Sequence, residues 1–263
     1  MTTDDRDVTS AELPDDTSRS SRSRRDDEDK HLPLWQETIL LLGVALALAV
    51  LIKALLVQAF FIPSESMEPG LVVNDRILVQ KVSYWGGGTP ERGDVVVFKD
   101  PGGWLGPIDT AGPTSLVTRA MSKIGLYPSG GHLVKRVIGT EGDVVKCCDN
   151  KGRISVNGMQ LNEDAYVKDT NAKCNGPMTN TCDWTAGPVP EDHVFVMGDN
   201  RGRSADSTVH MCPEKATDCV SGEEFVPVDL VVGKVFVLLW PRDNFRWVNR
   251  PDSFADVPAE PGE

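Results

Sequence analysis

Leu34 to Ile62 reads LWQETILLLGVALALAVLIKALLVQAFFI, and the fourteen residues from Ile39 to Ile52 carry no charge. A helix rises about 1.5 Å per residue, so about 20 apolar residues cross the hydrocarbon layer of a bilayer. Extended past Lys53 and Gln58 to Phe61, this run is long enough. A buried core helix and a cleavable signal peptide are the rival readings. The second fits poorly, because the run exceeds a signal peptide's apolar region and follows 33 polar residues. Lys53 does not veto a span, since its stem can snorkel toward the interface. The stretch predicts a single transmembrane helix over 34–62.

Basic residues near the ends of a span set its orientation. Arg22, Arg24, Arg25 and Lys30 precede this one, and no Lys or Arg follows until Arg76. The N-terminus is therefore expected in the cytoplasm and the rest of the chain outside the cell membrane. The tail 1–33 holds Asp, Ser and Arg clusters with almost no large apolar residues, a composition that predicts disorder. The acidic, proline-bearing end, 251–263, reads as a second disordered tail. Across the chain, 27 basic against 39 acidic side chains leave a net charge of −12, which argues against nucleic acid as a partner.

All six cysteines (Cys147, Cys148, Cys174, Cys182, Cys212, Cys219) follow the apolar run, in the part expected to face an oxidising compartment. Disulfides are expected, but sequence does not choose among the connectivities that six cysteines allow. Local pairs Cys174–Cys182 and Cys212–Cys219 would leave Cys147 and Cys148 as an adjacent pair. A crossed pairing of Cys147 and Cys148 with Cys174 and Cys182 is an equal alternative. The spacings CC, CX7C and CX6C do not match those of zinc ligands, and the four histidines form no HExxH pattern. No metal or organic cofactor is expected.

Beyond the apolar run, short β-branched segments alternate with Gly and Pro: 75–82, 93–99, 133–138, 143–146, 153–156, 193–197 and 231–240. That is a mainly β pattern. Between Pro113 and Pro128, Leu116, Val117, Ala120, Met121 and Ile124 recur at helical spacing and predict a small inserted amphipathic helix. Residues 168–187, rich in Asn, Thr, Gly and Cys, read as a stapled loop. The expected architecture is one transmembrane helix followed by an extracytoplasmic β-sheet or barrel-like catalytic domain over 63–250.

Three stretches carry chemistry. In Ile62-Pro63-Ser64-Glu65-Ser66-Met67-Glu68-Pro69-Gly70 the prolines favour extended or turning backbone. Residues two apart in such a segment face the same way, so Ser64 and Ser66 share a side. A nucleophilic serine needs a base. In Leu133-Val134-Lys135-Arg136-Val137-Ile138, period 2 places Lys135 between Leu133 and Val137 on one face and Arg136 on the other. Burial among apolar groups disfavours an ammonium, and could turn Lys135 into that base. The polar run Met197-Gly198-Asp199-Asn200-Arg201-Gly202-Arg203-Ser204-Ala205-Asp206-Ser207 directly follows an apolar strand, a usual place for site residues. Each stretch alone also fits a solvated turn or an edge strand.

Together they resemble the type I signal peptidases, membrane-anchored Ser/Lys endopeptidases that remove signal peptides from secreted preproteins. The likeness rests on four ordered motifs: IPSxSMxPxL over 62–71, RGDVVVF over 92–98, KRVIGxxGD over 135–143 and GDNRxxSxDS over 198–207. It implies that Ser66 is the nucleophile and unprotonated Lys135 its general base. By the same resemblance, Ser64 Oγ and the Ser66 N–H form an oxyanion hole and Ser204 hydrogen-bonds and orients Lys135. Asp199 is implied to pair with Arg136, and Asp206 to brace the loop. The chain departs from the pattern at Glu65 and Gly70, where Gly and Thr are commonest. It departs again at Thr208, where many members have an arginine that pairs with the aspartate here numbered 206. Arg201 or Arg203 is the expected substitute partner, unless Asp206 is solvated. The segment 210–227 resembles actinobacterial members.

The implied substrates are preproteins with A-x-A junctions, cleaved through an acyl-enzyme, with apolar side chains around 60–62 and Lys135 lining small pockets. Three residues separate Ile62 from Ser66, so the site is expected beside the outer leaflet, in contact with membrane lipid. Trp85, Trp104, Leu105 and the 113–128 helix are candidates to enter the interface. A monomer is expected. Rival readings are a non-enzymatic binding module and a cytosolic Ser/Lys autoprotease; the apolar run and acidic charge oppose the second.

Overall fold

A computed structural model describes residues 33–106, 115, 131–168, 182–212 and 219–261. The expected N-terminal tail, the 113–128 helix apart from Ser115, and residues 169–181 of the stapled loop lie outside the described residues. Among the described residues one α-helix, α1 (Leu34–Leu55), is followed by twelve strands. Its 22 residues reach about 33 Å, enough for a bilayer. Its leucines, isoleucines and valines are exposed. The chain forms two compact units, 1–44 and 45–263, and every strand belongs to the second.

The helix stops short of the expected 62, because Val57–Phe61 form strand β1 instead. These residues pair antiparallel with β2 (Arg76–Gln80), from Val57 opposite Gln80 to Phe61 opposite Arg76. β-branched and aromatic side chains suit a half-buried pleated surface. Phe60 turns inward while its neighbours stay in solvent.

The remaining strands are β3 (Val95–Lys99), β4 (His132–Gly139), β5 (Val145–Cys147), β6 (Ser155–Val156), β7 (Met159–Gln160), β8 (Trp184–Ala186), β9 (His193–Met197), β10 (Val226–Pro227), β11 (Val231–Trp240) and β12 (Arg246–Trp247). The larger sheet runs β1-β2-β11-β3-β4-β9-β10, with β12 on β11; the smaller runs β7-β6-β5-β8. All pairings between strands are antiparallel. Long β11 is the spine, holding β2, β3 and β12 at successive positions with shifts of register that bend it.

In β4 the expected faces are present. Leu133 and Val137, which share a face with Lys135, and Val96, opposite Lys135 in register, are buried in one apolar cluster with Phe98, Val194 and Val196. Trp104 belongs to this cluster as well, edge-on to Phe98 and stacked on His210 at 4.3 Å between ring centres. That burial removes Trp104 from the candidates for membrane insertion; Leu105 is partly buried against the same cluster, and Trp85 stays exposed. Cys212 bonds to Cys219 and Cys147 to Cys148. Cys174 lies outside the described residues.

The acidic C-terminal segment is not a tail. Phe254 and Val257 are buried in the core between the sheets' strands, with Phe254 tilted against Tyr166 at 6.1 Å. Gly93, at φ +85°, leaves the room that Phe254 fills: a Cβ there would lie 2.9 Å from its ring. Arg92 donates to the Val257 carbonyl and Asn157 Nδ2 to that of Pro258, while both also bond Asp143. Acidic and proline-rich composition hid two apolar anchors placed three residues apart. Phe254→Ala is expected to cost about 3–5 kcal/mol of stability, readable by chemical denaturation of the full chain. An unchanged midpoint would restore the tail reading.

Candidate active site

Ser66 lies in a single tight turn, Glu65–Met67, that follows Pro63 and leads to Pro69. It is the second residue of the turn, where a backbone N–H has no carbonyl to reach within the turn and remains available to an external acceptor. Two bonds fasten this turn to the loop after β9. Asn200 N–H donates to the Ser66 carbonyl at 3.0 Å and Asn200 Nδ2 to that of Glu65 at 3.0 Å. Met67 and Ile62 anchor the same segment in the apolar core.

Lys135 comes from the middle of β4, held on both sides by β3 and β9. Its Nζ lies 2.8 Å from Ser66 Oγ, and Ser64 Oγ lies 3.2 Å from the same oxygen. The Lys135 and Ser66 side chains are both buried, at 4% and 5% exposure. Loss of water around Lys135 lowers its pKa from 10.5 to about 8, against the opposing pull of Asp206 and Asp199. About one tenth of the amine is therefore neutral at pH 7 and half at about pH 8, and the neutral amine is a hydrogen-bond acceptor for the serine proton.

On the other face, Arg136 donates through Nε and Nη2 to the two carboxylate oxygens of Asp199, at 2.8 and 2.7 Å. Its guanidinium also covers the Tyr166 ring at 4.5 Å. Burial works against the Arg136 charge, but Asp199 outweighs it and raises the pKa. Beneath lies a second buried pair, Arg201 with Glu163, joined by the Tyr166 hydroxyl.

Two expected contacts differ. Ser204 Oγ donates to Asp206 Oδ2 at 2.5 Å instead of reaching Lys135. Asp206 takes neither Arg201 nor Arg203: it accepts from Gly198 N–H, Ser204, and the N–H and hydroxyl of Thr208. Arg201 is committed to Glu163, and Arg203 turns outward to Glu65. Asp206 satisfies four donors without a cation because Thr208, two residues on, supplies both its hydroxyl and its backbone.

Two residues of the 198–207 motif matter in ways that residue type alone did not announce. Asn200 is the clamp on the serine turn. Gly198 is the point of closest approach, since a Cβ there would overlap both Ser204 Oγ and the Ser66 carbonyl. A turn-forming Gly and an Asn shortly after a strand end were the available signals.

With Ser66, Lys135 and Ser64 converging, the arrangement suits acyl transfer through a serine nucleophile with an amine base. Comparison with known proteins points to a peptidase family. A family model described as signal peptidase, peptidase S26, matches residues 35–240. A probable signal peptidase I of Mycobacterium leprae (strain TN) is 34% identical over 244 residues, covering 85% of this chain and 82% of that protein. Signal peptidase I of Mycobacterium tuberculosis (strain ATCC 25618 / H37Rv) is 36% identical over 249 residues, covering 88% and 81%. Probable signal peptidase I-2 of Synechocystis sp. (strain ATCC 27184 / PCC 6803 / Kazusa) is 32% identical over 207 residues, covering 79% and 74%. Since the matched span begins in the apolar helix and ends with the longest strand, the chain belongs to the peptidase S26 family of signal peptidases.

Proposed function

We propose that this chain is a membrane-anchored serine endopeptidase that cleaves signal peptides from exported preproteins after an A-x-A-type junction, using Ser66 and Lys135. The carrying observation is the buried 2.8 Å approach of Lys135 Nζ to Ser66 Oγ. Neutral Lys135 takes the Ser66 proton as Oγ attacks the carbonyl carbon of the residue before the scissile bond. The tetrahedral oxyanion receives the Ser66 N–H and the Ser64 hydroxyl, which turns from Ser66 to the new charge. Lys135 then gives its proton to the departing amine. A water, deprotonated by Lys135 that is neutral again, attacks the acyl carbonyl, and Lys135 returns that proton to Ser66 Oγ as the acyl–oxygen bond breaks and the acid product leaves. Arg136 and Asp199 hold the strand from its other face, and Ser204 and Asp206 hold the loop around Gly198. No metal or organic cofactor enters these steps.

Small residues before the cut fit the family's substrates, whose signal peptides end in that pattern. The apolar side chains of Phe60 and Ile62, beside the serine turn, support pockets of that kind.

We further propose that α1 crosses the cell membrane once with its N-terminus in the cytoplasm, supported by its length, its apolar surface and the basic residues before it. Lipid contact by the catalytic domain is supported by an exposed group at one sheet end. Trp240 and Phe61 both lie opposite Arg76 on adjoining strands, and Phe245 follows before β12, with Arg246 and Trp247 in β12 itself. Aromatic rings interleaved with arginines suit the headgroup layer.

The deciding experiment is cleavage of a preprotein with an A-x-A junction by the detergent-solubilised full chain, with product termini read by mass spectrometry. Cleavage after the second alanine should vanish in Ser66→Ala and in Lys135→Ala. A folded parent chain inert toward several such substrates would move the reading to a binding module. Because only neutral Lys135 accepts the proton, kcat/KM should rise with pH up to about 8 and level above it; a flat profile between pH 6 and 9 would remove Lys135 as base. Ser64→Ala should lower kcat by about 10²–10³-fold. Phe245→Ser with Trp247→Ser should slow cleavage of a bilayer-embedded preprotein and spare a short soluble peptide; equal effects on both would count against lipid contact.

A further inference from the structure

Asp206 is buried, and among the described residues no cation touches it. Oδ2 accepts from Gly198 N–H at 2.8 Å and Ser204 Oγ at 2.5 Å; Oδ1 accepts from Thr208 N–H at 3.1 Å and Thr208 Oγ1 at 2.7 Å. All four donors are neutral. Neighbouring buried carboxylates are treated differently: Asp199 holds Arg136, Glu163 holds Arg201, Asp143 holds Arg92, and Asp94 holds Lys234 and Arg250. Asp206 keeps a whole negative charge out of water with dipoles alone.

That charge lies against the proposed dyad. Gly198, whose N–H it binds, continues the β4–β9 register in which Arg136 faces Met197, and so comes opposite Lys135. A side chain on Gly198 would strike Ser204 Oγ and the Ser66 carbonyl together, so the Asp206 loop and the serine turn meet at this point. The other charges nearby are spoken for. Arg136 belongs to Asp199, Arg201 to Glu163, Lys234 to Asp94, and Arg203 faces solvent beside Glu65. His210, which faces Asp206, Glu223 and Asp100 while stacked on Trp104, has its pKa lowered by burial, which favours its neutral form.

We propose that Asp206 is a positioning residue that sets the working pH of the dyad: its uncompensated charge stabilises the Lys135 ammonium against the apolar strand faces around it, and Thr208, by offering only neutral donors, leaves that charge uncompensated. This rests on Lys135 being the base. Of the groups that favour the Lys135 ammonium, Asp206 has the largest effect, ahead of Asp199, whose charge Arg136 already offsets. The consequence for chemistry is a compromise. A base too readily deprotonated is weak, and one held protonated is scarce. Asp206 moves Lys135 toward the stronger, scarcer end.

The test is Thr208→Arg in the detergent-solubilised full chain, beside Thr208→Gln as a neutral long side chain. Two readouts are followed: the acid limb of kcat/KM, and the titration of Lys135 by the 13Cε signal of labelled lysines, assigned with Lys135→Arg. A cation beside Asp206 should move both down by about one pH unit, and Thr208→Gln should move neither. If Thr208→Arg does not fold, Asp206→Asn, nearly equal in size and uncharged, carries the same expectation. Either variant, folded and cleaving, with both readouts where the parent has them would overturn the proposal. A Lys135 signal that shifts as expected while no variant or parent cleaves any preprotein would uphold the electrostatic assignment and overturn the functional reading.

Discussion

An amine can take a serine's proton only while it is neutral, and a usable neutral fraction near pH 7 exists only where water is kept from it. The 2.8 Å contact of Lys135 with Ser66 therefore makes demands on the whole domain. The lysine has to come from an interior strand, which β4 is, with neighbours on both edges. The residues alternating with it and facing it, Leu133, Val137 and Val96, have to be apolar. The serine has to be brought to the lysine's tip by a segment that is itself fixed. Pro63 and Pro69 bracket that segment, Ile62 and Met67 bury on either side of the serine, and Asn200 holds two consecutive carbonyls of the turn.

The same strand solves the opposite problem one residue later. Among the described residues Lys135 has no ion pair; Arg136 is held charged by a bidentate carboxylate and an aromatic face. A guanidinium retains its proton under almost any burial, whereas an ammonium yields it. Removing either member of the Arg136–Asp199 pair would strand a buried charge, the costly case. Because Asp199 is next to Asn200 in the chain, the pair on one face of β4 fixes the loop that clamps the serine on the other. Support and chemistry are thus joined through one turn of backbone.

Most of this was legible in the alternation of side chains. Strands β9 and β11 have the bounds their patterns predict, and the two faces of β4 carry the expected residues. What escaped was set by partners distant in the chain. Nothing local in Val57–Phe61 distinguishes the end of an apolar helix from a strand; pairing with Arg76–Gln80 decides it. Phe254 and Val257 sit in an acidic segment, and only the gap left over Gly93 shows where a ring fits. Trp104 in a glycine-rich loop looked free to leave the protein, yet Phe98 and His210 hold it. The Ser204 hydroxyl, a short donor able to reach either of two acceptors, went to the carboxylate.

Glu65 and Gly70 show how departures from a family pattern are absorbed. Glu65, between the two site serines, is drawn outward by Arg203, so that its charge lies at the rim and away from Ser66 Oγ. At Gly70, a Cβ would come 3.3 Å from Asp199 Oδ2 and 4.0 Å from Arg246 Nη2. A threonine there would press on the carboxylate that holds Arg136, so in this chain the space belongs to two charged groups instead of a hydroxyl. At each place a charge from a distant part of the chain answers the local change, while Lys135 and Ser66 keep their neighbours. The proposed dyad depends on exclusion of water and on one bond, which many surroundings can satisfy; the charges around it depend on particular partners and are where this chain differs.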